Sequence, residues 1–291
     1  MFMQLLISGL VLGGIYGLIA LGYSLIYKAS GLMSFVQGDV MTLGAYLGLT
    51  FFSILKLPFF VSVVLTMVCA FIFGLILEKG VIRILLNKNV LPIYVVLATI
   101  AMSYIIQNGA QLAWGSITLY FPSVFSVSSI RLLGIAVQPE ALVCLLASLV
   151  IMLLLHLFMT KTRFGTSMRA AAMDPMAAQS CGINVSLSTG VTWGLSAGLA
   201  AIAGILIGPM YGVYALLGST IGNKGFAGAV IGGYGNMYGA MVGGMLLGLL
   251  ETFVTGYISS DYKNLIAYIV LIAFLFLKPT GIFNERALQD D

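Results

Sequence analysis

Apolar runs of membrane-spanning length, separated by short polar breaks, organise this chain. A helix rising 1.5 Å per residue needs about 20 residues to cross a hydrocarbon core of ~30 Å. Seven runs come to that length: about Gln4 to Tyr27, Phe35 to Leu55, Phe59 to Leu77, Ile93 to Ala113, Ala141 to Met159, Ser188 to Gly208 and Gly239 to Thr255. An eighth, about Leu265 to Leu277, is shorter but ends in Lys278-Pro279, a cation followed by a residue that cannot continue a helix. Between Lys224 and Tyr234 lies Gly225-Phe-Ala-Gly-Ala-Val-Ile-Gly-Gly233, about half a span. The pattern predicts an all-α fold, a polytopic membrane helix bundle of about 8 to 9 transmembrane segments with a broken or half-length Gly-rich helix near 224–234.

That half-length segment sets the parity. Counted as a crossing it gives nine passes, N-terminus outside and C-terminus inside. Lys28, Lys79, Arg83, Lys88, Lys161, Arg163, Arg169, Lys278 and Arg286 then face the cytoplasm, and Lys56, Arg131, Lys224 and Lys263 the exterior. Eight passes would send Lys278 and Arg286 outside and weaken the positive-inside bias. Irregular backbone at membrane depth is tolerated only where protein or a wet cavity satisfies it. A broken helix therefore marks either a pathway or a surface helix packed between spans.

Composition removes the soluble alternatives. With 60% apolar and 8% charged residues, against about 45–50% and about 25% in an ordinary soluble domain, a water-soluble globule is excluded. The 13 basic and 9 acidic residues are too sparse for the basic stripe that nucleic acid needs, so no nucleic-acid partner is expected. Cys69 and Cys144 sit in apolar runs and Cys181 in a polar loop, which does not make a disulfide framework. The N-terminus carries no cation before Lys28, so it lacks the charged region of a cleavable signal peptide, and the first run is expected to stay in the membrane.

Many of the 35 glycines fall four apart: Gly13/Gly17, Gly44/Gly48, Gly194/Gly198, Gly204/Gly208, Gly228/Gly232, Gly235/Gly239 and Gly244/Gly248. In lipid, helices associate by close packing rather than water expulsion, and such faces let backbones approach. Two aqueous segments are long: an exterior loop at about 114–139, with Trp114, Tyr120, Pro122, a Ser-rich stretch and Arg131, and a cytoplasmic loop at about 160–187. No soluble domain or linker interrupts the spans, so residues 1–291 read as a single transmembrane domain.

Few residues carry chemistry. A phosphate-cradling loop needs a Gly-Lys pair, and none occurs, so nucleotide hydrolysis must happen elsewhere. His156 is the only histidine and the carboxylates are scattered, so neither a metal site nor an acid/base pair can be assembled and no enzyme is expected. His156 falls near the cytoplasmic end of its helix, where a donor suits the exposed carbonyls. Gly233-Tyr-Gly235-Asn-Met-Tyr-Gly239 lacks dinucleotide-turn spacing and reads as a helix break.

An acid within a span is costly, which makes Asp39 a functional candidate. Ser34-Phe-Val-Gln37 also fits a capping box, which would start the second helix at Ser34 and place Asp39 near its positive end. Capping and packing by Gln37-Gly38-Asp39, or lining of a cytoplasmic mouth, both remain open. Gln107, Asn108, Gln111 and Glu251 carry the same ambiguity between interhelical bonding and substrate contact.

The cytoplasmic loop holds the sharpest local pattern. Arg163-Phe-Gly-Thr-Ser-Met-Arg-Ala-Ala-Ala-Met173 predicts a short helix. Asp174-Pro175 then reads as an N-cap followed by proline at the first helical position. The second helix stops at Gly182, suited to the left-handed conformation of a helix end. Alanines 170, 171, 172, 177 and 178 offer a small, smooth surface that a partner's groove could seat, or the pair could lie on lipid headgroups.

The chain resembles the permease subunits of the ATP-binding-cassette (ABC) importers for branched-chain amino acids, over nearly its whole length. The resemblance is carried by Gly9 to Tyr23, Phe35-Val-Gln-Gly-Asp39 through Tyr46, Arg163-Phe-Gly-Thr-Ser-Met-Arg-Ala170, Asp174-Pro-Met-Ala-Ala178, Cys181-Gly-Ile-Asn-Val185, Ala229-Val-Ile-Gly-Gly-Tyr-Gly235 and Lys278-Pro-Thr-Gly281. It is the shorter of the two paired permeases that the chain is similar to. The resemblance implies a second homologous permease subunit in a heterodimer, two cytoplasmic ATPase subunits that use the ATP, an extracytoplasmic solute-binding protein, and a multi-pass location in the bacterial inner membrane. It implies no cofactor bound by this chain. Arg169, Ala170, Asp174, Ala177, Ala178, Gly182 and Ile183 match the family's coupling motif. Met173 and Met176 stand where the family often has glutamates, which makes the ATPase contact less electrostatic.

The expected mechanism is alternating access driven by the partners' ATP cycle, with the loop helices as levers. Gln37, Asp39, Asn108 and Asn236 are the candidates for lining the path of branched-chain amino acids or related small solutes. The rival is a stand-alone secondary transporter or channel for a small solute such as urea or an amide. Ion-coupled carriers place several ionisable groups near the midplane, and here the sequence offers only Asp39.

Overall fold

The computed structural model describes residues 2–88, 90–122, 130–132 and 135–283; Arg286 and the Ser-rich stretch 123–129 lie outside the described residues. The helices follow the apolar runs. They are α1 (Phe2–Ser30), α2 (Gln37–Leu49, continued by a π-helical turn Thr50–Ile54), α3 (Phe59–Leu77), which passes through a π turn Glu78–Ile82 into α4 (Arg83–Asn87), and α5 (Pro92–Trp114). A three-residue hairpin pairs β1 (Ile130–Leu132) with β2 (Ile135–Val137) before α6 (Pro139–Lys161). Two short helices, α7 (Arg163–Met173) and α8 (Pro175–Ser180), precede α9 (Val185–Tyr211), α10 (Leu217–Gly232), α11 (Met237–Tyr257) and α12 (Lys263–Leu277). Proline occupies the first turn of α5, α6 and α8, where its missing N–H costs nothing.

Among the described residues seven helices are long and apolar enough to cross a membrane, and α2 and α10 lie among them as shorter elements. Gly228 and Gly232 of α10 meet Gly244 and Gly239 of α11, so the two run antiparallel, as a ninth pass requires. The bundle's apolar residues point both ways. α1 and α9 are buried along most of their length, whereas Phe60, Leu112, Phe276 and Leu277 stand almost bare on the outside, as lipid-facing residues do.

Glycine sets how tightly the centre closes. A Cβ on Gly248 would land on the backbone of Gly13, and one on Gly244 on that of Gly17, so the two spaced pairs form one antiparallel seam between α1 and α11. Gly44 and Gly48 similarly seat Ala201 and Ile205 of α9. One expected pair is not a helix face. Gly235 lies with Gly233 in the turn after α10, at φ +91° and +113°, backbone that only glycine adopts without strain.

Other expectations need correction. α2 begins at Gln37, not Ser34: its N-cap Val36 makes no side-chain cap, and Ser34 is buried with its hydroxyl unpartnered. The segment before the helix is held by a tertiary contact instead, since the Phe35 N–H donates to Thr99 Oγ1 of α5 at 3.2 Å. His156 does lie in the last turns of α6, but its partner is a side chain: its ring packs 5.0 Å from that of Tyr238 in the first turn of α11, with Nε2 3.4 Å from the Tyr238 hydroxyl. Lys224 is not in an exterior loop. It is inside α10, 3% exposed, with Nζ 2.5 Å from Glu251 Oε1. Moving it into the bundle strengthens the positive-inside bias of the remaining cations.

Candidate functional site

Three polar constructions stand out in an otherwise apolar molecule. The first is a cleft between α2, α5 and α10. α2 begins beside Gly22 of α1 and Ser196 of α9, about 12 and 16 Å along those helices from the end that carries α7 and α8. α10 also begins inside the bundle: Gly218 donates its N–H to Thr42 Oγ1 at 2.7 Å, and Gly218 and Gly222 lie on the backbone of Gly38. The first turns of two discontinuous helices thus abut, which only glycine at 38 and 218 permits.

Beside that junction opens a cavity of about 190 Å³, smaller than drug-sized pockets and suited to a small solute. Its polar lining is Asp39, Ser103, Gln107, Ser219 and Asn223, and Tyr23, Phe35, Ile100 and Tyr104 form an apolar wall. Asp39 is 2% exposed; Oδ2 accepts a short hydrogen bond from the Ser103 hydroxyl, and Oδ1 is buried without a partner.

Of the four candidates for the path, only Asp39 lines this cleft. Gln37 is buried behind it and donates Nε2–H to the Ser196 carbonyl at 2.7 Å. Asn108 is exposed on α5 and bonds the Tyr104 carbonyl of its own helix. Asn236 caps α11 by accepting the Gly239 N–H at 3.0 Å. Ser103, Ser219 and Asn223 went unnoticed in the sequence. The signal was there in spacing, since Ile100, Ser103, Tyr104 and Gln107 share one helical face and Ser219 and Asn223 are four apart.

The second construction is the α7–α8 elbow. Thr162 caps α7 by accepting the Gly165 N–H. Asp174 Oδ1 accepts the N–H groups of Met176 and Ala177 at 2.9 and 3.0 Å, fixing the bend and starting α8. Gly182, at φ +80°, ends α8, with Ile183 N–H returning to the Ala178 carbonyl. Asn184 then caps α9 through the Leu187 N–H. Ala171 and Ala178 turn inward and are buried, and Arg169 and Ala170 are half-buried. Met173 and Met176 protrude on either side of Asp174, 78% and 79% exposed. Arg83 braces the far end of the elbow: it pairs with buried Glu78 at 2.6 Å and donates to the Ser186 carbonyl at 2.8 Å.

The third is the pair of Lys224 and Glu251, joined by the Tyr16 hydroxyl, which donates to Glu251 Oε2 at 2.8 Å. It ties α10 to α11 and α1 and borders a second cavity of about 210 Å³ that also touches Ser8, Tyr211 and Lys263. Among the described residues no group of three metal-ligating side chains gathers anywhere.

A family model described as branched-chain amino acid transport system, permease component, matches residues 5–275. The chain is 32% identical to the high-affinity branched-chain amino acid transport system permease protein LivH of Salmonella typhimurium, across 99% of this chain and 97% of that protein. It is 32% identical to BraD, the permease protein of the same description from Pseudomonas aeruginosa, with the same coverage. The probable branched-chain amino acid transport permease protein LivH of Methanocaldococcus jannaschii is 29% identical across 96% of this chain and 91% of its own length.

Proposed function

The chain belongs to the branched-chain amino acid transport permease family, a family of transport proteins rather than enzymes, and from that premise we propose that it is the membrane-spanning permease subunit of an ABC importer. Its work is to move leucine, isoleucine, valine or related small polar solutes across the bacterial cytoplasmic membrane. It pairs with a second homologous permease, receives solute from an extracytoplasmic binding protein, and is driven by two ATPase subunits that bind the ATP themselves.

The observation that carries this reading is the elbow. Two short helices locked by Thr162, Asp174, Gly182 and Asn184 hold two bare methionines out from the bundle. On the proposed reading these two methionines are the contact with the ATPases, since flexible thioethers adapt to an apolar groove. Nucleotide binding biases the bundle between outward and inward openings only insofar as the docked ATPases bind one of them more tightly.

A stand-alone ion-coupled carrier is the competing reading. The structure adds Lys224 and Glu251 to Asp39 as embedded ionisable groups, more than the sequence indicated, but these two neutralise each other at 2.5 Å. Reconstitution decides. Vesicles holding the complex purified from native membranes should take up leucine only with ATP and the binding protein, and vesicles holding this chain alone should take up none. Gradient-driven uptake by the chain alone would overturn the proposal.

A further inference from the structure

We infer that the cleft between α2, α5 and α10 is a binding site for the zwitterionic head of an amino acid, with Asp39 receiving the α-ammonium and the first turn of α10 receiving the carboxylate. The inference deepens the transport reading above and rests on it.

Asp39 is the first ground. A carboxylate at 2% exposure inside a membrane bundle needs a counter-charge. Among the described residues its one donor is the Ser103 hydroxyl, Oδ1 has no partner, and no cation lines the cleft. Lys224, one residue beyond the lining Asn223, is committed to Glu251. The open lone pairs of Asp39 therefore fit a cation that arrives and leaves, and a primary ammonium matches them in charge and in size.

The asymmetry between the two abutting helix starts is the second ground. The positive end of α2 already carries an acid, Asp39, in its first turn. The first turn of α10 has no acidic residue; Thr42 takes its Gly218 N–H and the Tyr214 carbonyl its Leu217 N–H, and the Ser219 N–H is the group that stays open to a ligand. Half-helix N-termini at membrane depth suit anionic groups, and here Ser219 of that first turn lines the same cavity as the carboxylate. Ser219 and Asn223 add polar groups on the same side, while Phe35 and Ile100 offer an apolar wall for an aliphatic side chain.

Site-directed labelling in the assembled complex tests this. In a background without Cys69, Cys144 and Cys181, Asn223→Cys should react with a cationic methanethiosulfonate on the order of tenfold faster than with an anionic one of similar size, because Asp39 concentrates cations beside it. Leucine should slow both reactions, and isocaproate, which lacks the ammonium, should not. Asp39→Asn should abolish both the charge preference and the protection, whereas Asn108→Ala, on the same helix as Ser103 but outside the cleft, should keep them. Equal rates for the two reagents with Asp39 intact, or equal protection by isocaproate, would overturn the site. Absence of ATP-driven leucine uptake by the same unsubstituted complex would instead overturn the transport reading; uptake without leucine protection overturns the site alone.

Discussion

Replacing Lys224 with methionine removes one half of the most deeply buried ion pair among the described residues. Its Nζ lies 2.5 Å from Glu251 Oε1, and the two side chains are 4% and 5% exposed. Methionine keeps the length of the aliphatic stem, so the packing of α10 is disturbed little and the charge is lost. Glu251 then retains only the Tyr16 hydroxyl at 2.8 Å. Breaking a buried pair from one side typically costs about 3–5 kcal/mol, and an ionised acid placed alone at the centre of a membrane helix costs about 2.5–3.5 kcal/mol on insertion scales. The two figures agree on roughly 3 kcal/mol. Lys224→Met/Glu251→Leu removes both charges, and replacement of a buried pair by apolar residues is often neutral or stabilising. The expected result is a double variant more stable than Lys224→Met alone, with a coupling energy of about 2–4 kcal/mol. Unfolding in mixed micelles, followed by the fluorescence of buried Trp193, measures it. If the double variant is destabilised by the sum of the single effects, the pair is not a compensated unit and the reasoning fails.

Other outcomes follow from the same geometry. Gly248→Ala should destabilise the bundle by about 1–3 kcal/mol through overpacking, because its Cβ falls on the backbone of Gly13, whereas Gly198→Ala should be tolerated, its nearest neighbour being Met67 at 3.4 Å; thermal denaturation in detergent separates them. Met173→Ala and Met176→Ala should each weaken ATPase docking by at least about tenfold in a pull-down titration while leaving membrane insertion unchanged, since burying one methionine is worth roughly 1.5–3 kcal/mol. Asp174→Ala should lose about 1 kcal/mol of helix capping at α8 and lower uptake, and Asp174→Asn, which can still accept the Met176 and Ala177 N–H groups, should retain it.

What the sequence disclosed is what local physics writes. The spans were legible because bilayer thickness fixes their length, and the elbow because Asp174-Pro175 and Gly182 act on their immediate neighbours. Failures came where a distant residue overrode the local signal. Ser34 reads as a cap, but the chain before α2 is held by Thr99, 64 residues beyond Phe35, and the helix starts at Gln37 without a side-chain cap. Lys224 looked like a loop cation, because its partner Glu251 lies on the next helix and a charge in an apolar run reads as a break. The cleft was illegible as a site because its polar lining comes from three helices, each contributing one or two residues of the kind that ordinarily bond their own backbone.

The elbow and the cleft are joined by one rigid element. α9 starts at the Asn184 cap, immediately after the elbow, with Arg83 gripping the Ser186 carbonyl at its first turn. About 16 Å further along, the same helix presents Ser196, whose hydroxyl donates to the Gly22 carbonyl at 2.8 Å and whose carbonyl accepts Gln37 Nε2–H at 2.7 Å. Gln37 is the first residue of α2, two before Asp39. Close packing of Gly44 and Gly48 on Ala201 and Ile205 leaves α2 no room to slide against α9. A tilt of α9 imposed at the elbow is therefore carried into the start of α2. α10 is tied on one side to α11, by the Lys224–Glu251 pair and a glycine seam, and on the other to α2, by the Gly218 N–H on Thr42 and the glycine contact at Gly38, so its first turn stands between the two. On the proposed reading, the force from the ATPases therefore reaches the junction of α2 and α10 that Asp39 and Ser219 flank. The two ends of a bound zwitterion would then be gripped in one conformation and released in the other.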